Sequence, residues 1–259
     1  MEKPKIHVIK IGGNIIDNPD ALNSFLTSFA SITGFKILVH GGGKIATQMA
    51  KNVGIETQMV DGRRVTDEKS LQIVTMVYAG WINKSIVANL QSKKCNALGL
   101  TGPDGGLIKA KKRNPIPIDF GFVGDIVGLN VKGINDLLNI GLSPIFAPIT
   151  ADDEGQLLNT NADTLAQSIA MGLSSDFDVD LVYCFEKRGV LKDPADNNSV
   201  ISMINQASYE KLKREGIVTE GMIPKLENAL LAVSQGVKVV RLCHADDLND
   251  ANQGTQIKA

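Results

Sequence analysis

Short β-branched apolar runs alternate with amphipathic stretches along the chain. Ile6 to Ile11 predicts a strand, and Gly12 and Gly13 follow it directly. Pro19 to Ile32 predicts a helix, with Asn18 placed to cap it and Pro19 at its first position. Lys36 to His40 predicts a second strand, then come the turn Gly41-Gly42-Gly43 and a helical stretch from Lys44 to Asn52. Strand, turn and helix in repetition predict a mostly parallel sheet with helices on its faces. Strands of such a sheet are buried on both sides, so Lys36-Ile37-Leu38-Val39 reads as a continuous run and not as an alternation.

Two β excursions interrupt this rhythm. Ile55 to Val60 and Arg63 to Thr66 flank Asp61-Gly62, a two-residue hairpin signal. Phe120 to Val127 is glycine-punctuated and aromatic, and predicts a second. Asp67 to Leu90 predicts one long helix, Asn130 to Asn139 a shorter one, Pro144 to Pro148 a buried strand, and Asn161 to Gly172 a further helix. Leu173-Ser174-Ser175-Asp176 reads as a linker, which places a lobe boundary near residues 172–178. Beyond it lie a strand from Val179 to Cys184, a polar loop through Asp193 to Ser199, helices near Gln206 to Glu215 and Gly221 to Gln235, and a strand from Val237 to Leu242.

Composition narrows the function classes. The 259 residues carry 27 Lys+Arg against 28 Asp+Glu, and this balance leaves no electrostatic footprint for nucleic acid. Aromatic residues are 5%, too few for base-stacking platforms. Cys95, Cys184 and Cys243 are scattered, as are His7, His40 and His244, so neither a disulfide framework nor a His/Cys metal centre is expected and a reducing cytoplasm fits. Lys10 breaks the N-terminal apolar run, which removes a signal-peptide core. The longest uncharged run, Leu137 to Ala151, is short and broken by Gly141, Pro144 and Pro148, so no membrane span is expected.

Five segments carry candidate chemistry. Gly41-Gly42-Gly43-Lys44-Ile45-Ala46, between a strand and a helix, turns backbone N–H groups toward an anion, or simply allows a tight turn. It also satisfies G-x-G-x-x-A with Asp61 downstream, so an NAD-binding dehydrogenase is a rival reading. Lys10-Ile11-Gly12-Gly13 places a lysine in an apolar strand, where an anion must meet it unless its head reaches water. In Asn159-Thr160-Asn161-Ala162-Asp163, an extended backbone would point Asn159, Asn161 and Asp163 to one side; helix capping by Asn161 or Asp163 is the simpler account. Lys225, in Gly221-Met222-Ile223-Pro224-Lys225, sits near a helix start, where the dipole disfavours a cation unless an anionic ligand compensates. Arg63 and Arg64, on the first hairpin, suit a lid that grips a carboxylate.

Together and in this order, the motifs resemble the amino acid kinase family over essentially the whole chain, from about Lys5 to Lys258. The resemblance implies a three-layer α/β/α sandwich around a mainly parallel central sheet. It implies an N-lobe (residues 1–175) for acylglutamate binding and dimerisation, and a C-lobe (residues 176–259) for ATP. The motif set is similar to the branch that uses ATP to phosphorylate the side-chain carboxylate of N-acetylglutamate in arginine synthesis; N-succinylglutamate is the alternative acceptor. The resemblance implies that Lys10 and Lys225 stabilise the transferring phosphoryl group and that Asp163 holds them. It gives Gly12 and Gly13 to the ATP phosphates, and Gly42, Gly43, Arg64, Asn159 and Asn161 to the acylglutamate. Mg²⁺ is expected to arrive bound mainly through the nucleotide, with no protein metal ligand. Where relatives carry Thr/Ser-Asp-Val after the C-lobe strand, this sequence has Phe185-Glu186-Lys187. A non-catalytic amino-acid sensor on the same fold is a further rival, one that would not need Lys10, Asp163 and Lys225 together. Only Met1 to Pro4 precede the first strand, so the ring-forming N-terminal helix of arginine-inhibited relatives is not expected; a homodimer insensitive to arginine is.

Overall fold

Lys5–Ile11 forms the first strand, and Ile6, Val8, Ile9 and Ile11 are buried along it. The computed structural model describes residues 3–60, 63–193, 195–218 and 222–258. The chain forms two compact units, Met1–Ile37 with Ala166–Ala259, and Leu38–Leu165.

In the first unit the strands lie in the order Met203–Ile204, Thr255–Ile257, Val239–His244, Asp178–Phe185, Lys5–Ile11. Lys5–Ile11 pairs in parallel with Asp178–Phe185, which pairs in parallel with Val239–His244; Val239–His244 and Thr255–Ile257 run antiparallel. Helix Pro19–Ser31 buries Phe25, Leu26 and Phe29, and the Asn18 side chain accepts from the Asp20 and Ala21 N–H groups at its start, as expected. At its other end the buried Lys36 ammonium donates to the carbonyls of Ala30 (2.9 Å) and Ile32 (2.6 Å), so a buried cation meets the negative end of the helix dipole. Buried Arg241 ties down the loop after its strand by donating to the carbonyls of Leu248 and Asp250. That strand begins at Val239, two residues later than the apolar run suggested: Gly236, at φ +97°, ends the preceding helix, and Val237 and Lys238 lie in the turn.

In the second unit, Leu38 and Val39 of the strand Phe35–Val39, then Ser143–Phe146 and Ala97–Leu100, lie side by side in parallel. A second sheet has the order Leu157–Asn159, Ile149–Ala151, Ile108–Lys112, Gly124–Leu129. The excursion expected at residues 120–127 is therefore the strand Gly124–Leu129, and it pairs with Ile108–Lys112, which the sequence reading did not identify. The expected hairpin strands are short, Met59–Val60 and Arg63–Arg64, and the Asp61-Gly62 turn lies outside the described residues. The long helix begins at Glu68, where the Asp67 carboxylate accepts from the Ser70 N–H at 2.7 Å. It is not one uniform helix: Glu68–Thr75 is α-helical, Met76–Ile82 is π-helical and Asn83–Ser92 is α-helical again. No helix among the described residues is long and apolar enough to cross a membrane.

Candidate active site

The strand Phe35–Val39 leads through His40 into the glycine turn, and helix Gly43–Asn52 starts there. Gly42 is the N-cap of that helix, with φ +148°, and no side chain caps it. The first N–H groups of a helix have no intrahelical acceptor, so this turn offers donors at the positive end of a dipole. The turn borders a cleft of about 210 Å³ that also presents Arg64, Asn159, Asn161, Tyr78 and Arg113. The structure thus brings together all five residues that the sequence reading gave to the acylglutamate: Gly42, Gly43, Arg64, Asn159 and Asn161.

Arg64 is braced against the helix start. Its guanidinium donates to Gly43 O (3.0 Å), Thr47 Oγ1 (2.8 Å) and Thr57 Oγ1 (3.0 Å). The Asn159 amide donates to Thr66 Oγ1 at 3.0 Å. Asn161 Oδ1 accepts from the Thr164 N–H at 3.0 Å, which caps helix Ala162–Leu173. The extended alternation considered for Asn159, Asn161 and Asp163 does not occur, because the strand ends at Asn159 and the helix begins at Ala162. Asp163 lies in the first turn of that helix, where a carboxylate suits the dipole.

Sequence reasoning missed Tyr78, and the cleft also takes in Arg113. Tyr78 comes from the π-helical stretch; its hydroxyl interacts with Arg64, and burial pushes its pKa up. Periodicity gives no warning of a π-helical stretch. Arg113 Nε and Nη2 both donate to Asp125 Oδ1, at 3.0 and 2.6 Å, and the guanidinium lies 5.7 Å from the Phe120 ring centre. Adjacent Lys112 instead lies over the Phe122 ring.

In the first unit, Lys10 stands opposite Tyr183 in the register and is half-buried. The Gly12 N–H donates to Cys184 O at 3.0 Å, so it is already engaged; Gly13 begins the short helix Gly13–Ile16, which has no side-chain cap. Lys225 lies in the first turn of helix Ile223–Ser234, with its ammonium 5.2 Å from the Phe185 ring centre. It is exposed, and the aromatic face and water carry its charge. Gly221 of the same motif lies outside the described residues. A second cleft, of about 200 Å³, opens where strands Asp178–Phe185 and Val239–His244 end; Glu186, Arg188, Asn197 and His244 border it. Ligands of open α/β sheets sit at such carboxyl ends.

Comparison with known proteins places the chain in a family. The model of the amino acid kinase family matches residues 5–244. An acetylglutamate kinase of Cytophaga hutchinsonii is 55% identical over 246 residues, covering 94% of this chain and 93% of the relative. One from Bacteroides fragilis is 49% identical over 256 residues, covering 99% and 98%. An N-acetylglutamate synthase structure from Neisseria gonorrhoeae, complexed with coenzyme A and N-acetyl-glutamate, superposes with a TM-score of 0.83 at 19% identity; it covers all of this chain and 60% of that one, and shows the shared fold. These matches favour the kinase reading of the glycine turn over the dehydrogenase one. With the family model spanning residues 5–244 and near-full-length relatives at about half identity, the chain belongs to the amino acid kinase family.

Proposed function

We propose that this chain transfers the γ-phosphoryl group of ATP to the side-chain carboxylate of N-acetylglutamate, giving N-acetylglutamyl 5-phosphate for arginine synthesis in the cytoplasm. The observation that carries the reading is the convergence of Arg64, Asn159, Asn161 and the uncapped Gly42-Gly43 helix start on one cleft. The curated relatives named acetylglutamate kinase support it.

The chemistry asks for little proton transfer. A glutamate side chain has a pKa of about 4.3, so the nucleophile is ionised near neutrality. The work is to bring two anions together and to offset the charge that spreads over the phosphoryl group in flight. In this reading Arg64, Asn159 and Asn161 hold the α-carboxylate and the acylamido end, and the N–H groups of Gly42 and Gly43 meet substrate oxygens. Lys10 and Lys225 offset the phosphoryl charge, and Asp163 orients these lysines. Gly12 and Gly13 serve the ATP phosphates: Gly12 lets the backbone come close, and Gly13 contributes its N–H. Mg²⁺ enters on the nucleotide phosphates. Residues 1–175 hold the acylglutamate and the dimer contact, and residues 176–259, together with Gly12 and Gly13, hold ATP.

One observation favours a second acceptor. Arg113 borders the cleft as a further fixed cation, held by Asp125 beside Phe120. It suits a carboxylate at the far end of the acyl group, as in N-succinylglutamate. A hydroxamate assay with ATP and Mg²⁺, comparing N-acetylglutamate, N-succinylglutamate, glutamate and aspartate, tests both readings. Acyl phosphate from N-acetylglutamate is expected; no product from either acylated substrate would overturn the proposal.

A further inference from the structure

Resting on the kinase reading of the cleft, we propose that His40 is a positioning residue. Its Nδ1–H holds the Gly41–Gly42 peptide in one orientation and so turns the Gly42 N–H toward the substrate.

His40 directly follows strand Phe35–Val39 and is fully buried. Its Nδ1 lies 2.9 Å from Gly41 O. A carbonyl has no proton to give, so Nδ1 carries the hydrogen. Its Nε2 lies 3.1 Å from the Asn83 side-chain nitrogen. That nitrogen also donates to Ile145 O at 2.9 Å, and Asn83 Oδ1 accepts from the Lys84 ammonium at 3.2 Å. The Asn83 amide is therefore fixed with its nitrogen toward His40, and Nε2 accepts. Both ring contacts assign the same neutral tautomer. Burial agrees, since it pushes the His40 pKa down to about 4. The surroundings leave Asn83 little freedom: a Cβ at Gly99 would come 2.0 Å from Asn83 Oδ1.

A peptide between two glycines turns over at little cost, because neither residue has a Cβ to hinder it. The peptide unit is planar and trans, so C=O and N–H point in opposite directions. Gly41 O is held toward the buried imidazole, which sends the Gly42 N–H the other way, from a turn that borders the cleft. Ile82 closes on Gly42 from the π-helical stretch, and Asn83 follows Ile82 directly. One side of the turn is thus packed by Ile82, and the other is hydrogen-bonded by His40, whose ring Asn83 holds in turn.

Kinetics of purified His40→Leu and His40→Asn, with N-acetylglutamate and ATP varied in turn, test the proposal. His40→Leu removes the donor and is expected to raise KM for N-acetylglutamate roughly tenfold or more, the scale of one hydrogen bond to a charged group. KM for ATP should move less than about twofold. His40→Asn offers an amide donor near the place of Nδ1 and is expected to recover most of the loss. A folded His40→Leu enzyme with unchanged KM, or equal loss in both variants, overturns the proposal. If neither variant folds, nitrogen-15 NMR of the wild-type imidazole decides: a proton on Nδ1 supports the proposal and a proton on Nε2 overturns it. Failure of the kinase reading itself would look different, as a wild-type enzyme inactive on N-acetylglutamate.

Discussion

At the scale of single residues, two lysines, an arginine and a histidine sit in four different environments. Lys10 is half-buried at the end of an apolar strand, and Lys225 stands exposed over Phe185. If both act on the phosphoryl group in flight, Lys10→Ala and Lys225→Ala should each lower kcat roughly 10²-fold, the scale for one electrostatic stabiliser. Unchanged kcat in folded Lys10→Ala protein would remove that role. Arg64 should fail differently, because its fork bonds Gly43, Thr47 and Thr57 at once. Arg64→Lys keeps the charge and loses the fork. Steady-state kinetics should show KM for the acylglutamate rising well above any change in KM for ATP; a change confined to ATP would remove Arg64 from the acylglutamate site. His40 adds a pH signature. Its pKa of about 4 in the fold lies below the ordinary 6.5, so the unfolded chain binds the extra proton first as pH falls. Stability from this group is whole above pH 6.5 and is lost as pH falls toward 4, by about 3 kcal/mol over that window. Urea melts at pH 7, 5.5 and 4.5 should fall more steeply for wild type than for His40→Asn; parallel slopes would contradict the assignment.

At the scale of elements, the junction of the glycine turn with the π-helical stretch has a measurable energy. A Cβ on Gly42 would come 2.2 Å from Ile82 Cδ1, and φ there is +148°. Gly42→Ala should therefore destabilise by roughly 2–4 kcal/mol, from strain and overpacking together. Trimming the neighbour separates the two causes. The Gly42→Ala/Ile82→Ala double variant should cost less than the sum of the single changes, because the clash is gone and the strain remains. Additive costs in denaturant melts would assign the whole effect to the backbone. The same junction marks the limit of sequence reading. Strands buried on both faces were legible as continuous apolar runs, as in Ile37-Leu38-Val39. Ile108–Lys112 was not, because only Ile108 and Ala110 are buried while Lys109, Lys111 and Lys112 face outward, too short an alternation to stand out. The π-helical stretch was illegible because apolar residues run through it without a break. The cleft residues on turns and caps were legible from their chemistry, and Tyr78 was not, because a tyrosine in an apolar helical run reads as core.

At the scale of the molecule, helix Gly43–Asn52 has two apolar faces, and among the described residues only one of them is buried. Ala46 and Ala50 are buried, while Met49 is 42% exposed and Val53, at the C-cap, is 57% exposed. Trp81, in the π-helical stretch that packs on this helix, is 68% exposed. Large apolar side chains left in water on one helix mark a surface that association would cover. The helix also starts at the cleft, so a partner seated on it would stiffen the turn that holds Gly42 and Gly43. The chain is accordingly expected to be a two-fold homodimer joined through this helix. Light scattering should return twice the mass of one chain, and the Met49→Glu/Val53→Glu variant should return a single chain. Two buried carboxylates without partners would cost several kcal/mol in each copy, enough to dissociate an interface of ordinary size. The monomeric variant should keep its fold by circular dichroism and show a higher KM for N-acetylglutamate than the dimer. A wild-type monomer, or a variant that stays dimeric, would move the association surface away from this helix.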